Sequence, residues 1–525
     1  MQDIEINDEF KAALELMDVP GRHVFITGKA GTGKSTLLQH FRSTTKKNVV
    51  VLAPTGVAAV NVAGQTIHSF FKFKPDITAD KIKKLPADKR ELIQQLDAII
   101  IDEVSMVRAD LMDCIDKSLR LNGRKKKLPF GGVKLILVGD LYQLPPVVMS
   151  RERELFQDRY QSPYFFSADC IHGGIESGGA RLEMVELEKI YRQKDDRFIH
   201  ILNAIRSNTV EDDELSELNQ RVGAVLPELK KGQGGFAVTL VPTNAQALEF
   251  NLICLERLRG RPLRLEAQIE GDFDRSSYPA DVDVRIKKGA QVMLLNNDSL
   301  GRWVNGSMGE VIKIEQGEHC PLVFVRLENG EEVDVGPNKW DMFRYTWDAE
   351  TRSIDSEAAG SFVQHPIKLA WAVTIHKSQG KTFDRVVIDM GRGAFAHGQT
   401  YVALSRARTL DGITLKTPIK KTHVLTDWRV VKFMVSFQCA RSEEAMSFDN
   451  KVAMICTAIN EKKALRIIYL KGNGEKSRRK VWPRSVGEEF YKGVAYPGMS
   501  ALCDFRQEDR MFRVDRILKM DLLEI

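Results

Sequence analysis

The sequence predicts an α/β protein with two parallel-sheet lobes, each carrying an insertion, followed by a β-rich C-terminal module. Three observations carry this. Over the first 140 residues four short apolar runs alternate with helix-length amphipathic stretches. The same alternation resumes after residue 181, and between 260 and 360 it gives way to short β-like pieces broken by Gly, Asn and Asp. Strands that alternate with helices favour a parallel sheet, because each helical crossover carries the chain back across the sheet face.

The elements follow in order. Residues 24–27, 49–53, 98–101 and 134–138 are Val/Ile/Leu-rich runs of the kind buried on both faces of a sheet. Helical patterns cover 34–43, 57–71 and 104–121, and the lysine-rich stretch 73–97 reads as a small insertion, completing a first lobe over 1–180. A second lobe takes in 181–259 and 361–440. Its strands are expected at 182–187, 238–241, 369–375, 386–390 and 413–416, with helices at 195–206 and 244–258. Pieces at 290–295, 308–314, 322–327 and 332–335 make the insertion 260–360 a small barrel. From 449 to 525 one helix precedes strand patterns such as 465–470 and 490–496.

Composition narrows the class. With 43% apolar and 28% charged residues the chain is ordinary globular material. Its seven cysteines are isolated and lack any C-x-x-C pair, which argues against a disulfide framework and a zinc site. The first residues, Met1 to Glu5, lack an apolar targeting core and no run is long enough to span a bilayer. A cytoplasmic protein without a membrane partner is expected, nucleoid-associated if bacterial. The net charge of +6 is uneven: residues 449–525 hold 16 basic against 11 acidic side chains, and the rest of the chain is nearly neutral. A basic module on a neutral body suits a polyanionic partner.

Gly28-Lys29-Ala30-Gly31-Thr32-Gly33-Lys34-Ser35 follows a strand run and precedes a helix pattern. This is the spacing of a phosphate-binding loop. Gly28, Gly31, Thr32 and Gly33 let backbone N–H groups turn toward the α/β-phosphates, and Lys34 reaches the β/γ-phosphates. Ser35 offers a hydroxyl to Mg²⁺, and Thr36 opens the helix whose positive end faces the anion. Asp102 and Glu103 end the strand 98–101, where ligands bind in open α/β sheets. Asp102 is the candidate Mg²⁺ anchor and Glu103 the candidate base for the attacking water. Gln143, in Gly139-Asp140-Leu141-Tyr142-Gln143-Leu144-Pro145-Pro146, is placed to sense the γ-phosphate. Ala53-Pro54-Thr55-Gly56 offers a second anion site at a strand end, suited to a nucleic-acid phosphate. Arg192 and Arg406 are the candidate arginine fingers, expected to reach in from the second lobe.

Together with Thr374-Ile375-His376-Lys377-Ser378-Gln379-Gly380 and Tyr401 to Arg408, these strings resemble superfamily 1 helicases of the 5′→3′ branch. The stretch from Arg108-Ala109-Asp110 to Pro129-Phe130-Gly131-Gly132 is similar to a segment particular to the Pif (petite integration frequency) helicases, with the RecD group a weaker match there; the helicase resemblance as a whole covers about residues 20–440. The resemblance implies an ATP site between two RecA-like lobes, formed by Lys34, Ser35, Asp102, Glu103, Gln143, Arg192, Gly380 and Arg406. It implies single-stranded DNA contacts at Thr55, Gly56, His68, Thr243, Asn244, His376 and Lys377. The insertion 73–97 would be a strand-separating wedge, and 260–360 an SH3-like domain that helps grip DNA. The implied partners are single-stranded DNA and single/double-strand junctions, with G-quadruplex and forked DNA as structured substrates and a monomer as motor unit. The family often carries an adenine-reading glutamine upstream of the loop; Phe10 stands there instead.

Residues 449–525 resemble a WYL domain, a small Sm/SH3-like barrel, through Arg466-Ile467-Ile468-Tyr469, Pro483 and Phe512-Arg513-Val514-Asp515-Arg516-Ile517, with Phe490-Tyr491-Lys492 in place of the eponymous tripeptide. That resemblance implies an accessory single-stranded DNA or charged-ligand module. Arg513 and Arg516 lead the candidates, Arg466, Arg478, Arg479 and Arg506 accompany them, and Tyr469 and Tyr491 are candidate stacking rings. The competing reading is a nucleotide-switched DNA-binding regulator whose C-terminal module senses a ligand.

Overall fold

The computed structural model describes residues 6–523 apart from 75–76, 149–151, 173–179, 194, 227–235, 274, 276–277, 318–319, 349–352, 392 and 492–493. It divides into two compact units, 1–205 with 210–425 and 206–209 with 426–525.

In the first unit, helix α1 (Asp8–Asp18) leads into strand β1 (His23–Gly28), and helix α2 (Lys34–Thr44) starts directly on the glycine loop. Strand β2 (Val49–Ala53), helix α3 (Gly56–Asn61), strand β3 (Gln65–Thr66) and helix α4 (Ile67–Phe71) follow. Then come helix α5 (Ala87–Gln95), strand β4 (Ala98–Ile101), helix α6 (Ala109–Asn122), strand β5 (Lys134–Val138) and strand β6 (Leu182–Leu187). The six strands form one sheet in the order β3-β2-β4-β5-β1-β6, paired in parallel. Its central strands are buried along their length, as continuous apolar runs require.

Three expectations change here. The helix expected over 57–71 is broken by β3, because Ala63 takes φ +46° and Gly64 lies so close to β2 that a Cβ would sit 2.4 Å from the Val51 carbonyl oxygen. The helix expected over 104–121 opens as a single tight turn, Val104–Met106, before α6. The strand assigned to the second lobe at 182–187 is β6; it pairs with β1, so the first sheet runs past residue 180.

The second lobe is a four-stranded parallel sheet in the order Ala372–Thr374, Val238–Val241, Val386–Ile388, Ile413–Leu415. The run expected as one strand over 369–375 is shared. Ile367–Leu369 pairs antiparallel with Gln291–Leu294 of the insertion, and Ala372–Thr374 pairs in parallel with Val238–Val241. Four strands of the insertion and Ile367–Leu369 form a five-stranded antiparallel sheet around Val292, Val311, Val325 and Trp303, and a long hairpin pairs Asn338–Asp348 with Ser353–Gln364. Helix α5, from the small insertion at 73–97, packs on the strand Asn338–Asp348.

The second unit has two helices, Trp428–Ala445 and Phe448–Asn460, and one five-stranded antiparallel sheet. Ile455, Leu465, Ile467, Val481, Met499 and Ile517 fill its core. The strand pattern expected over 490–496 falls across the end of Lys476–Tyr491 and the start of Val494–Cys503, two strands that pair antiparallel.

Candidate functional site

The glycine loop, Glu103, Gln143, Arg192 and Arg406 line one cleft of about 750 Å³ within the first unit. Gly33 caps α2 with φ +86°, a left-handed conformation that glycine tolerates, so the loop's N–H groups and the helix N-terminus face the cleft. Lys34 donates to the carbonyl oxygens of Gly28 (2.7 Å) and Lys29 (2.9 Å), which hold its ammonium over the loop. Phe10 is buried at one wall, where a Cβ on Gly33 would meet its ring at 3.0 Å and the Tyr191 ring at 3.9 Å. Asn7 caps α1 by accepting from the Phe10 N–H, and its amide donates to the Tyr191 hydroxyl. Phe10 and Tyr191 thus supply two aromatic rings to the cleft wall, and Asn7 braces them from behind.

Arg192 reaches this cleft by an unexpected route. Its segment continues from β6 of the first sheet, Tyr191 N–H donates to the Gly31 carbonyl, and a Cβ on Gly31 would lie 2.4 Å from the Arg192 Cβ. This corrects the expectation that both fingers come from the second lobe. Arg192 rises beside the loop and its guanidinium donates across to the Gly380 carbonyl at 3.4 Å. Arg406 does come from the second lobe. It is 1% exposed and donates to the carbonyl oxygens of Val402 and Lys381 and to the Ser405 hydroxyl. Burial, and then the charge of Arg192, lower its pKa to about 9. Arg192 is lowered as well, by burial and then by the charge of Arg408, and cations crowded in this way favour an anion beside them.

Asp102 and Glu103 stand where β4 ends. Glu103 has φ +50°, and its N–H donates to Asp102 Oδ1 at 2.9 Å, which turns the two carboxylates into separate positions. Burial raises Asp102, and burial together with Asp102 raises Glu103 to about 7. Adjacent carboxyls resisting ionisation are a set that a cation relieves. With the Ser35 hydroxyl they are hard oxygen donors, short of a complete cage, as Mg²⁺ prefers when water and phosphate oxygens supply the rest. Among the described residues no group of three or more His, Cys, Asp or Glu could hold a metal by itself. Gln143 is buried in the cleft wall and donates to Asp140.

The seam between the lobes is closed by residues that motif reading did not single out. Gln379 donates from its amide to Glu103 Oε2 at 3.0 Å. The Ala30 N–H donates to the Tyr401 hydroxyl at 3.1 Å. Gln193, 4% exposed, donates to the carbonyl oxygens of Ser405 and Ala407. Each lies within a motif string, but Gln193 and Gln379 stand among other polar and charged residues that hide them. What each touches is set by the fold.

The expected nucleic-acid residues share one structural position. Thr55 follows β2, Thr243 and Asn244 follow Val238–Val241, and His376 and Lys377 follow Ala372–Thr374, all at C-terminal strand ends. Gly56 opens α3, and His68 in α4 lies edge-on to Phe73 at 6.4 Å. Thr55 and Thr243 cap their helices, accepting from the N–H groups of Ala58 and Gln246. Asn244 and Lys377 are exposed.

In the second unit, Arg513 is held in a bidentate pair with Asp515 (3.0 and 2.7 Å) and lies over the Tyr496 ring. Arg516 is half-buried, with its guanidinium near Gly472. Tyr469 packs edge-on to Phe512 and its hydroxyl accepts from the Arg513 N–H, so this ring is part of the packing of the unit's core. The Tyr491 side chain and residue 492 lie outside the described residues.

Comparison with known proteins agrees with this layout. The profile of the PIF1-like helicase family matches residues 5–215, that of the UvrD-like helicase C-terminal domain 369–411, and that of the WYL domain 450–522. The chain is 31% identical to the ATP-dependent DNA helicase Pif1 of Bdellovibrio bacteriovorus, over 83% of this chain and 93% of that protein. It is 33% identical to the ATP-dependent DNA helicase PIF1 of Mus musculus over 85% of this chain, and the match spans 65% of the mouse protein's length. Among solved structures, Pif1 from a Bacteroides species in complex with ADP-AlF4 superposes with a TM-score of 0.73 at 36% identity, covering 83% of this chain and 98% of that one. Bacteroides Pif1 bound to single-stranded DNA gives 0.60 at 35% identity, covering 83% and 97%.

Proposed function

The chain belongs to the PIF1-like helicase family, and on that premise we propose that it is an ATP-driven motor that tracks 5′→3′ along single-stranded DNA and opens duplexes ahead of it. The observation that carries the reading is the bridged seam: phosphate loop and Glu103 on one side, Tyr401 and Gln379 on the other, joined by direct hydrogen bonds, with Arg406 lining the same cleft. A cleft built from two lobes of one chain changes when they move, which is what a motor needs and what a rigid phosphotransferase site does not. It also supports a single chain as the motor unit.

The roles follow from the chemistry. Loop N–H groups and Lys34 hold the triphosphate, and Mg²⁺, held by Ser35 and Asp102, would neutralise phosphate oxygens there. Glu103 takes a proton from the attacking water. Arg192 and Arg406 turn from carbonyl partners to the charge developing on the γ-phosphoryl group, and Gln143 reports its loss. Thr55, Gly56, His68, Thr243, Asn244, His376 and Lys377 offer hydroxyls, N–H groups and cations to the DNA backbone, a sequence-neutral set. Polarity rests on family membership. Single-stranded and forked DNA as partners are supported by relatives solved with those ligands, and G-quadruplexes extend the same logic to structured strands. The WYL-like unit is an accessory site.

Steady-state ATP hydrolysis tests this. Adding a single-stranded oligonucleotide should raise the rate at least about tenfold, the scale of one well-placed interaction in the transition state. Hydrolysis indifferent to DNA would sink the motor reading.

A further inference from the structure

Three lysines from two stretches of chain come together where the second lobe joins the β-rich insertion. Lys381 lies just beyond the turn His376–Ser378, and its Nζ sits 3.0 Å from Met293 Sδ. Met293, 1% exposed, belongs to Gln291–Leu294 and is directly opposite Lys368 of the antiparallel strand Ile367–Leu369. Directly opposed residues project from the same sheet face with Cβ atoms about 5 Å apart, so Lys368 and Lys381 flank one methionine. Lys377, in the turn, adds a third ammonium, whose charge acts on Lys368.

No carboxylate forms an ion pair with any of the three among the described residues, and the acid that Lys368 feels is Asp281. Burial, then the neighbouring ammonium groups, lowers Lys368 and brings Lys381 down to about 8. Lys368 and Lys381 are half-buried and Lys377 is exposed; half-buried cations that repel one another cost stability unless an anion joins them. The nucleotide cleft does not supply it: Gly380 lines that cleft, and the next side chain, Lys381, turns away to Met293. Lys377, by contrast, follows His376 at the strand end that carries the expected DNA contacts.

We infer that Lys368, Lys377 and Lys381 form a seat for one backbone phosphate of single-stranded nucleic acid at the junction of the second lobe and the insertion. The inference rests on the DNA-tracking reading above and adds Lys368 and Lys381, one on each side of the junction, to its contacts. A phosphate held there would lie against the stretch whose Ser378 and Lys381 carbonyls hold Arg406, giving the strand a grip next to the finger's resting partners.

The test measures binding of an oligothymidylate to the full chain across a salt series, for the native protein, Lys368→Gln/Lys381→Gln and Lys368→Arg/Lys381→Arg. Losing one phosphate contact should make the slope of log K against log salt shallower by about 0.7 and weaken binding about five- to tenfold near 0.15 M salt. The arginine pair should keep the native slope, and the glutamine pair should melt no lower than the native protein, since a repulsion has gone. If the double variant fails to fold, Lys381→Met, close in volume and apolar, reads the same slope. A native slope in the glutamine pair, with or without a lower melting temperature, overturns the seat in favour of packing. Millimolar inorganic phosphate that raises the native melting temperature only, with equal oligonucleotide slopes, overturns it in favour of a free-anion site. A native protein that does not bind the oligonucleotide overturns the DNA reading along with the seat, which separates the two failures.

Discussion

At the scale of single residues, the chemistry converges on Glu103. Its raised carboxyl, about 7, means that it is protonated below that pH and competent as a base above it. Hydrolysis should therefore show an acid limb that climbs as pH rises toward 7, belonging to the Asp102/Glu103 pair and shifted lower by bound Mg²⁺. Glu103→Gln should remove the limb along with most of the rate; a limb that survives in this variant contradicts the assignment. Stability takes the opposite sign. A folded pKa above the ordinary 4.5 stabilises the native state below 4.5, and that contribution is lost as pH rises through about 7. Gln379 holds Glu103 from the second lobe, and hydrogen bonds to charged groups are worth about 1.5–3 kcal/mol. Gln379→Ala should thus lower DNA-stimulated kcat by about tenfold or more with the KM for ATP nearly unchanged, because the lost contact orients the base and leaves the phosphates alone. An unchanged kcat would show the bond to be incidental.

At the scale of elements, the clearest prediction concerns the segment joining α6 to β5. Asp116 in α6 accepts from the Phe130 N–H at 2.6 Å, and Gly131, at φ +62°, comes so close to α6 that a Cβ would lie 2.3 Å from the Leu119 carbonyl oxygen. Gly131→Ala should destabilise the protein by about 2 kcal/mol through backbone strain, seen as a lower melting temperature, and an unshifted one would show that the backbone gives way. What the sequence disclosed about elements has a physical pattern. β1, β2, β4 and β5 were legible because strands buried on both faces must be apolar throughout, and the glycine loop because its phosphate geometry fixes residue types at fixed spacing. β3 was hidden: Gln65-Thr66 pairs with β2 through backbone groups and has no apolar signature. The strand Lys476–Tyr491 was hidden by its charges, Pro483 and Gly487, whose cost a bulge between Pro483 and Ser485 absorbs. Arg192 was legible as a cleft residue and misplaced by lobe, because β6, like Val238–Val241, is followed by a helical stretch and only pairing with β1 reveals its sheet.

At the scale of the whole molecule, two compact units divide the work. The nucleotide cleft and the expected DNA-contact face both lie within the first unit, so removing 426–525 should leave DNA-stimulated hydrolysis in place with weaker DNA binding. Hydrolysis that escapes DNA control after this deletion would favour the regulator reading over the motor. The central claim is directional, ATP-driven movement, and the unwinding of duplexes bearing either a 5′ or a 3′ single-stranded tail tests it most directly. The account predicts that the 5′-tailed duplex is opened with Mg²⁺ and ATP, the 3′-tailed one is not, and Lys34→Ala opens neither. Opening that requires a 3′ tail, or that proceeds equally well in Lys34→Ala, would contradict it.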